Sequence, residues 1–102
     1  MKSYALIAAA LAMAATSMSG AAQARSLQGA SNCNGIHCQC WIAYDGNRRA
    51  LKALAKADCI RAGSSGWNIV RNETYRKLSC DKHRANGNTT VTVRGKLTFV
   101  CN

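Results

Sequence analysis

Acidic side chains are almost missing from this 102-residue chain: Asp45, Asp58, Glu73 and Asp81 stand against 14 lysines and arginines. Histidine is as scarce, with only His37 and His83, and Glu73 is the one glutamate. General acid–base catalysis needs at least one well-placed base, so these shortages leave few routes to an enzyme. A small basic ribonuclease would have to combine the histidines or Glu73 with Arg71, Arg76 or Arg84 as phosphate holders, and no spacing singles out such a site. CxxC is absent, which removes support for a thioredoxin-type redox role. There is no internal repeat or low-complexity tract. No apolar run reaches the roughly 20 residues a membrane-spanning helix needs.

What the chain does have is an export signature followed by cysteines. Lys2 supplies a positive start, Tyr4 to Ala15 an apolar run, and Ala22-Gln23-Ala24 the small residues a signal peptidase accepts. Cleavage after Ala24 is expected, with residues 1–24 as signal peptide and residues 25–102 as a single disulfide-rich domain. All six cysteines, at 33, 38, 40, 59, 80 and 101, lie downstream of that point. The pattern predicts a secreted protein, or a periplasmic one in a Gram-negative source, folding where thiols oxidise. Domains shorter than about 80 residues bury too little apolar surface to be stable unaided, and three disulfides would each contribute about 2–4 kcal/mol. The formal net charge of +10 points to anionic partners such as lipid headgroups or glycans.

Along the mature chain, residues 25–32 read as a loose leader. Ile36 to Tyr44 alternates, with Cys38 and Cys40 on the same face as Ile42, and predicts a strand. Asp45-Gly46-Asn47 supplies turn chemistry and a helix cap. A helix follows over Arg48 to Ala62, with Leu51, Leu54, Ala55, Ala57 and Ile60 toward a core and Cys59 at the edge of the opposite, basic stripe. Gly63-Ser64-Ser65-Gly66 stops it. The GxxG there is similar to an RNA-clamping loop, but an exported, disulfide-rich chain makes the helix stop the better account, and no specific nucleic acid is expected. Between Trp67 and Arg84 no clean strand face exists, whereas Trp67, Val70, Thr74 and Leu78 form a narrow helical stripe, so a second helix is predicted. Asn86-Gly87-Asn88 is a turn. Thr89, Val91, Val93, Gly95, Leu97, Phe99 and Cys101 then share one face of a long strand, with a bulge expected at Gly95.

His37-Cys38-Gln39-Cys40 is the one metal-like cluster. CxC is a weak match to zinc-ligand spacing and oxidation competes for the thiols, so no metal and no cofactor is expected. The residues that do suggest binding are Arg48, Arg49, Lys52 and Lys56. Arg48–Lys52 and Lys52–Lys56 are like-charge pairs one helical turn apart, each costing a few tenths of a kcal/mol. Either the stripe faces an anion, a lipid headgroup or glycan, or it is a solvated face of a basic protein. Disulfide connectivity is open among 15 pairings. A Cys38–Cys40 bond suits neighbouring same-face strand positions poorly and is discounted, a Cys40–Cys59 link is suggested, and Cys33 has no argued partner.

Cys38-Gln39-Cys40-Trp41, Gly46-Asn47, an Ala-rich helix carrying Cys59, and Val70-Arg71-Asn72-Glu73-Thr74-Tyr75 leading to Cys80 together resemble the small killer toxins encoded by viruses of smut fungi. The similarity is to subunits of the two-chain toxin and related secreted fungal effectors, over roughly Asn32 to Cys80. The resemblance implies an α+β fold, a two-layer α/β-sandwich with two helices on one face of a small antiparallel sheet. It also implies a non-enzymatic, monomeric toxin or antimicrobial effector acting on competitor or host cells, through an anionic surface component or a protein of those cells. Two departures stand out: the stretch from Cys59 to Trp67 is short for the family's central strands, and the dibasic pairs Arg48-Arg49 and Arg76-Lys77 sit within predicted helices, so this chain should act uncut. The alternatives are a small basic secreted hydrolase such as a ribonuclease, and a periplasmic binding or inhibitor module.

Overall fold

The strict alternation from Thr89 to Cys101 builds the strand on which everything else is assembled. A computed structural model describes residues 23–102, with elements in the order β1 (Ala24–Asn34), α1 (Cys40–Arg61), β2 (Val70–Ala85) and β3 (Asn88–Cys101). The segment read as a signal sequence lies outside the described residues, apart from Gln23 and Ala24. The sheet order is β1-β3-β2, with β3 antiparallel to both neighbours. One face of β3 is the core: Val91, Val93, Leu97 and Phe99 are buried, together with Ala43, Leu51, Ala55 and Cys59 from α1. This is an α+β arrangement of one helix against one antiparallel sheet.

Several sequence expectations are corrected. Residues 25–32 are no leader: they form β1, with Leu27 opposite Leu97 and Gly29 opposite Gly95. Ile36 to Tyr44 is not a strand, because α1 starts at Cys40 and runs through Gly46. The helix buries Ala43, Asn47, Leu51, Ala55 and Cys59 at strict four-residue spacing. That choice of face puts Cys59 in the core and leaves Leu54 and Ile60 56% and 51% exposed. The helix expected between Trp67 and Arg84 is the strand β2, so the described residues hold one helix rather than two. Trp67, first of the supposed stripe, is 89% exposed.

Bulges explain why β2 hides its pattern. The register slips by one residue between Arg71 and Thr74 and again between Lys77 and Ser79. Each extra residue reverses the parity, so the residues facing the helix side are Val70, Tyr75, Lys77, Cys80, Lys82 and Arg84. Asn72, inside the first bulge, has φ 55°. Gly95 itself stays in register on β3; the second bulge lies opposite it, on β2. The hairpin between β2 and β3 turns on Asn86 and Gly87, with φ of 54° and 78°, the two left-handed residues a type I′ turn requires.

The stop signal after α1 acts as expected. The Gly63 amide donates to the Ile60 carbonyl and the Ser64 amide to the Cys59 carbonyl, both at 3.0 Å, and Gly63 takes φ 103°. This is a Schellman motif. Three disulfides hold the layers: Cys33–Cys38, Cys40–Cys80 and Cys59–Cys101. Cys38 and Cys40 are indeed not bonded to each other, but Cys40 reaches β2 rather than Cys59. The helix is thus tied to the sheet near both ends. Such staples are typical of extracellular proteins, and no helix among the described residues is long and apolar enough to cross a membrane.

Candidate functional site

The four acids decide where the positive charge is left over. Asp45, carried on the first turns of α1, accepts from Arg48 at 3.2 Å and Arg49 at 2.8 Å. Glu73, brought across by β2, lies 3.5 Å from Lys52. Asp58 binds Arg25 of β1 at 2.8 Å and Arg61 at 3.6 Å. Of Arg48, Arg49, Lys52 and Lys56, only Lys56 has no carboxylate within 4.0 Å among the described residues. The four do share an exposed side of α1, but Asp45 and Glu73 cancel two of its four charges. These exposed pairs add little stability. Their consequence is electrostatic.

The uncompensated cations sit on the β2–β3 hairpin. Arg71, Arg76, Lys77, Lys82, Arg84, Arg94 and Lys96 have no carboxylate partner among the described residues, and Asp81 is the one acid on those two strands beyond Glu73. As a helix, Arg71, Arg76 and Lys77 would form a solvated face with Glu73 among them. As a strand, Arg71 and Arg76 join Arg94 and Lys96 on one face of the sheet, and Lys77 lies on the other.

A shallow groove of about 420 Å³ opens between α1 and β2, lined by Trp41, Tyr44, Asp45, Arg48, Tyr75 and Lys77. Trp41 is 65% exposed, and its indole Nε1 donates to Gln39 Oε1 at 3.0 Å. Gln39, the N-cap residue, therefore spends its side chain on Trp41 and makes no capping bond to the helix. Tyr44 meets Tyr75 edge-on, with centroids 6.4 Å apart, and the Lys77 ammonium lies 5.2 Å from the Tyr44 ring centre.

Beneath the groove is Asn47, the one buried polar side chain among the described residues. Its amide donates to the Gly29 carbonyl at 3.2 Å and to Ser31 Oγ at 3.0 Å, and its Oδ1 accepts from the Tyr75 hydroxyl. The network ties the helix to β1 and β2 above Gly95. Burial pushes the Tyr75 phenol above its ordinary 10.0; Tyr44 adds to the rise and Arg48 opposes it. The unfolded chain therefore loses this proton first. The stabilisation is complete below about pH 10 and falls as pH climbs through the folded value. Urea unfolding of the parent and Tyr75→Phe should show their stability difference shrinking above pH 10. A Tyr75 phenolate appearing no later than in free tyrosine would contradict this.

Of the residues a hydrolase would draw on, Glu73 and His83 lie far apart. Glu73 lies in the bulge near Thr98–Val100, whereas His83 pairs with Thr90 at the other end of β3. At ~3.4 Å per residue these positions are roughly 27 Å apart. The cleft at that far end is lined by Ile36, Cys38, Gln39, Lys82, Arg84 and Thr89, and neither histidine lines it. Cys38 and Cys40 are both oxidised, so the His37–Cys40 cluster offers no thiolate to a metal.

Fold and surface together define a small disulfide-stapled α+β protein whose surplus positive charge is concentrated on one β-hairpin. Family models, the curated proteins and the solved structures were all compared with the chain, and none matches it.

Proposed function

We propose that this is a secreted effector or antimicrobial protein, without enzymatic activity, that acts on competitor or host cells by binding an anionic component of their surface. The observation that carries the reading is the segregation of charge. Three of four acids are spent on helix and edge cations, leaving the hairpin arginines and lysines to attract an anionic surface. Supporting it are the signal-like N-terminus and three disulfides, which suit a protein working outside the cell. The killer-toxin likeness supports the same class. It is a likeness of residue order, since Cys40–Trp41 opens a helix here and Val70–Tyr75 lies on a strand.

The test is incubation of the oxidised protein with fungal and bacterial cells at low and high salt, scoring binding and growth, with RNA incubated in parallel. Expected are salt-sensitive binding, inhibited growth of at least one cell type and intact RNA. RNA cleavage that disappears in His83→Ala would replace this reading with a ribonuclease. No cell binding even at low salt would end it.

A further inference from the structure

The sheet has two faces, and α1 covers only one. Opposite residues on paired strands share a face, so the register names the uncovered side. It carries Ser26, Gln28, Ala30 and Asn32 from β1, and Thr92, Arg94, Lys96 and Thr98 from β3. From β2 it carries Arg71, Thr74, Arg76, Ser79 and Asp81. Beyond Asp81 this face also carries His83, opposite Thr90, but no Phe, Tyr or Trp in register, and its one sizeable apolar residue in register is the partly buried Val100.

Its charges form a line. Arg76 stands directly opposite Lys96, Arg94 is two residues along β3, and Arg71 lies opposite Val100 at the other end. From Arg94 to Val100 is six residues, roughly 20 Å of strand. Arg71, Arg76 and Arg94 are exposed and Lys96 is partly so. Asp81, opposite Thr92, is the only carboxylate on this face and bounds the row at that end. Like charges directly across a strand pair are destabilising, so Arg76 and Lys96 oppose folding unless an anion lies over them.

Resting on the function proposed above, we infer that this open face docks a linear acidic polysaccharide, laid along the strands with its anionic groups over Arg94, Lys96, Arg76 and Arg71. The cations run in a row, which suits a chain rather than a single headgroup. Beside them, β1 and the threonines of β3 offer hydroxyl and amide groups matched to sugar hydroxyls. A membrane would need several apolar side chains to insert, and on the three described strands Leu78, in the second bulge, is the one large apolar side chain that is exposed. Single-stranded nucleic acid would need aromatic platforms for its bases, and these lie on the helix side.

The test compares two charge-matched variants, R76E/K96E on the sheet and K52E/K56E on the helix, each lowering the net charge by the same amount. Binding to polygalacturonate and to phosphatidylglycerol vesicles is measured at low salt, with circular dichroism as the folding check. The sheet variant should lose at least ten-fold in affinity for polygalacturonate and the helix variant less than two-fold. If R76E/K96E does not fold, R76Q/K96Q carries the same comparison with K52Q/K56Q. Equal losses in both variants would mean bulk charge alone and overturn the docking face, while leaving the proposed function standing. Parent protein that binds vesicles more tightly than polygalacturonate would overturn the polysaccharide. Failure to bind either probe, or cells, would remove the function and the docking face together.

Discussion

Replacing Gly95 with alanine is expected to cost the fold about 3–5 kcal/mol, in spite of adding a single methyl group. A Cβ at this position would run into Asn47 Oδ1 and the Tyr75 hydroxyl, and would stand 2.6 Å from the Tyr75 ring carbon Cε1. None of these groups is the loose end of a flexible chain. Asn47 is held by Gly29 and Ser31, and Tyr75 by Asn47. Moving them breaks the network around Asn47, and a buried amide left unsatisfied is expensive. Urea unfolding provides the measurement. The double variant Tyr75→Phe/Gly95→Ala should lose less than the sum of its parts, because both changes strike one network. A loss under about 1 kcal/mol in Gly95→Ala would mean that the helix and β2 yield easily at this point.

The second large effect is expected from Cys59→Ala/Cys101→Ala. This bond links residues 42 apart in sequence, and closing a loop of that length restricts the unfolded chain by about 4 kcal/mol. Cys59 is also fully buried beside Phe99 and Leu97, so truncation opens space in the core. The expected fall in melting temperature is roughly 20 °C or more for a domain of this size. Cys33→Ala/Cys38→Ala is the internal comparison. It opens a bond spanning only five residues and should cost about 2 kcal/mol. Equal losses in the two variants would rule out loop length as the controlling quantity.

The parts of this fold legible from residues alone were those with an undisturbed period. β3 alternates for its whole length because no bulge interrupts it, and its buried face was read correctly, residue by residue. Asn86-Gly87 marked its turn, and the glycines after Arg61 marked the helix stop. β2 was unreadable as a strand because two inserted residues reverse its parity. The first turns of α1 were hidden because their buried residues are a small Ala43 and a polar Asn47, while Asp45-Gly46-Asn47 mimics a turn. β1 was missed for a similar reason: opposite Val93 and Gly95 it offers only Ser31 and Gly29, leaving room for the helix.

The candidate site was legible in kind and not in place. A shortage of acid said that positive charge would be left over. Which cations remain unpaired depended on Glu73 reaching Lys52 from a neighbouring strand and on Asp45 falling inside the helix. Neither fact is local in sequence. The helix stripe was visible because its four cations lie within nine positions. The row on the sheet draws on two strands and emerges only once their register is known.

The central position of β3 sets an order of events. β1 and β2 touch no other strand, so neither has a sheet to join until the last of the four elements has been delivered. Cys101, which closes one of the long disulfides, arrives on that same strand. Until then the helix and the Cys33–Cys38 loop can form, and Cys40–Cys80, whose cysteines both precede β3, can tie the helix to a strand that has no partner yet. A protein built in this way gains its sheet, and with it its rigidity, in one late step.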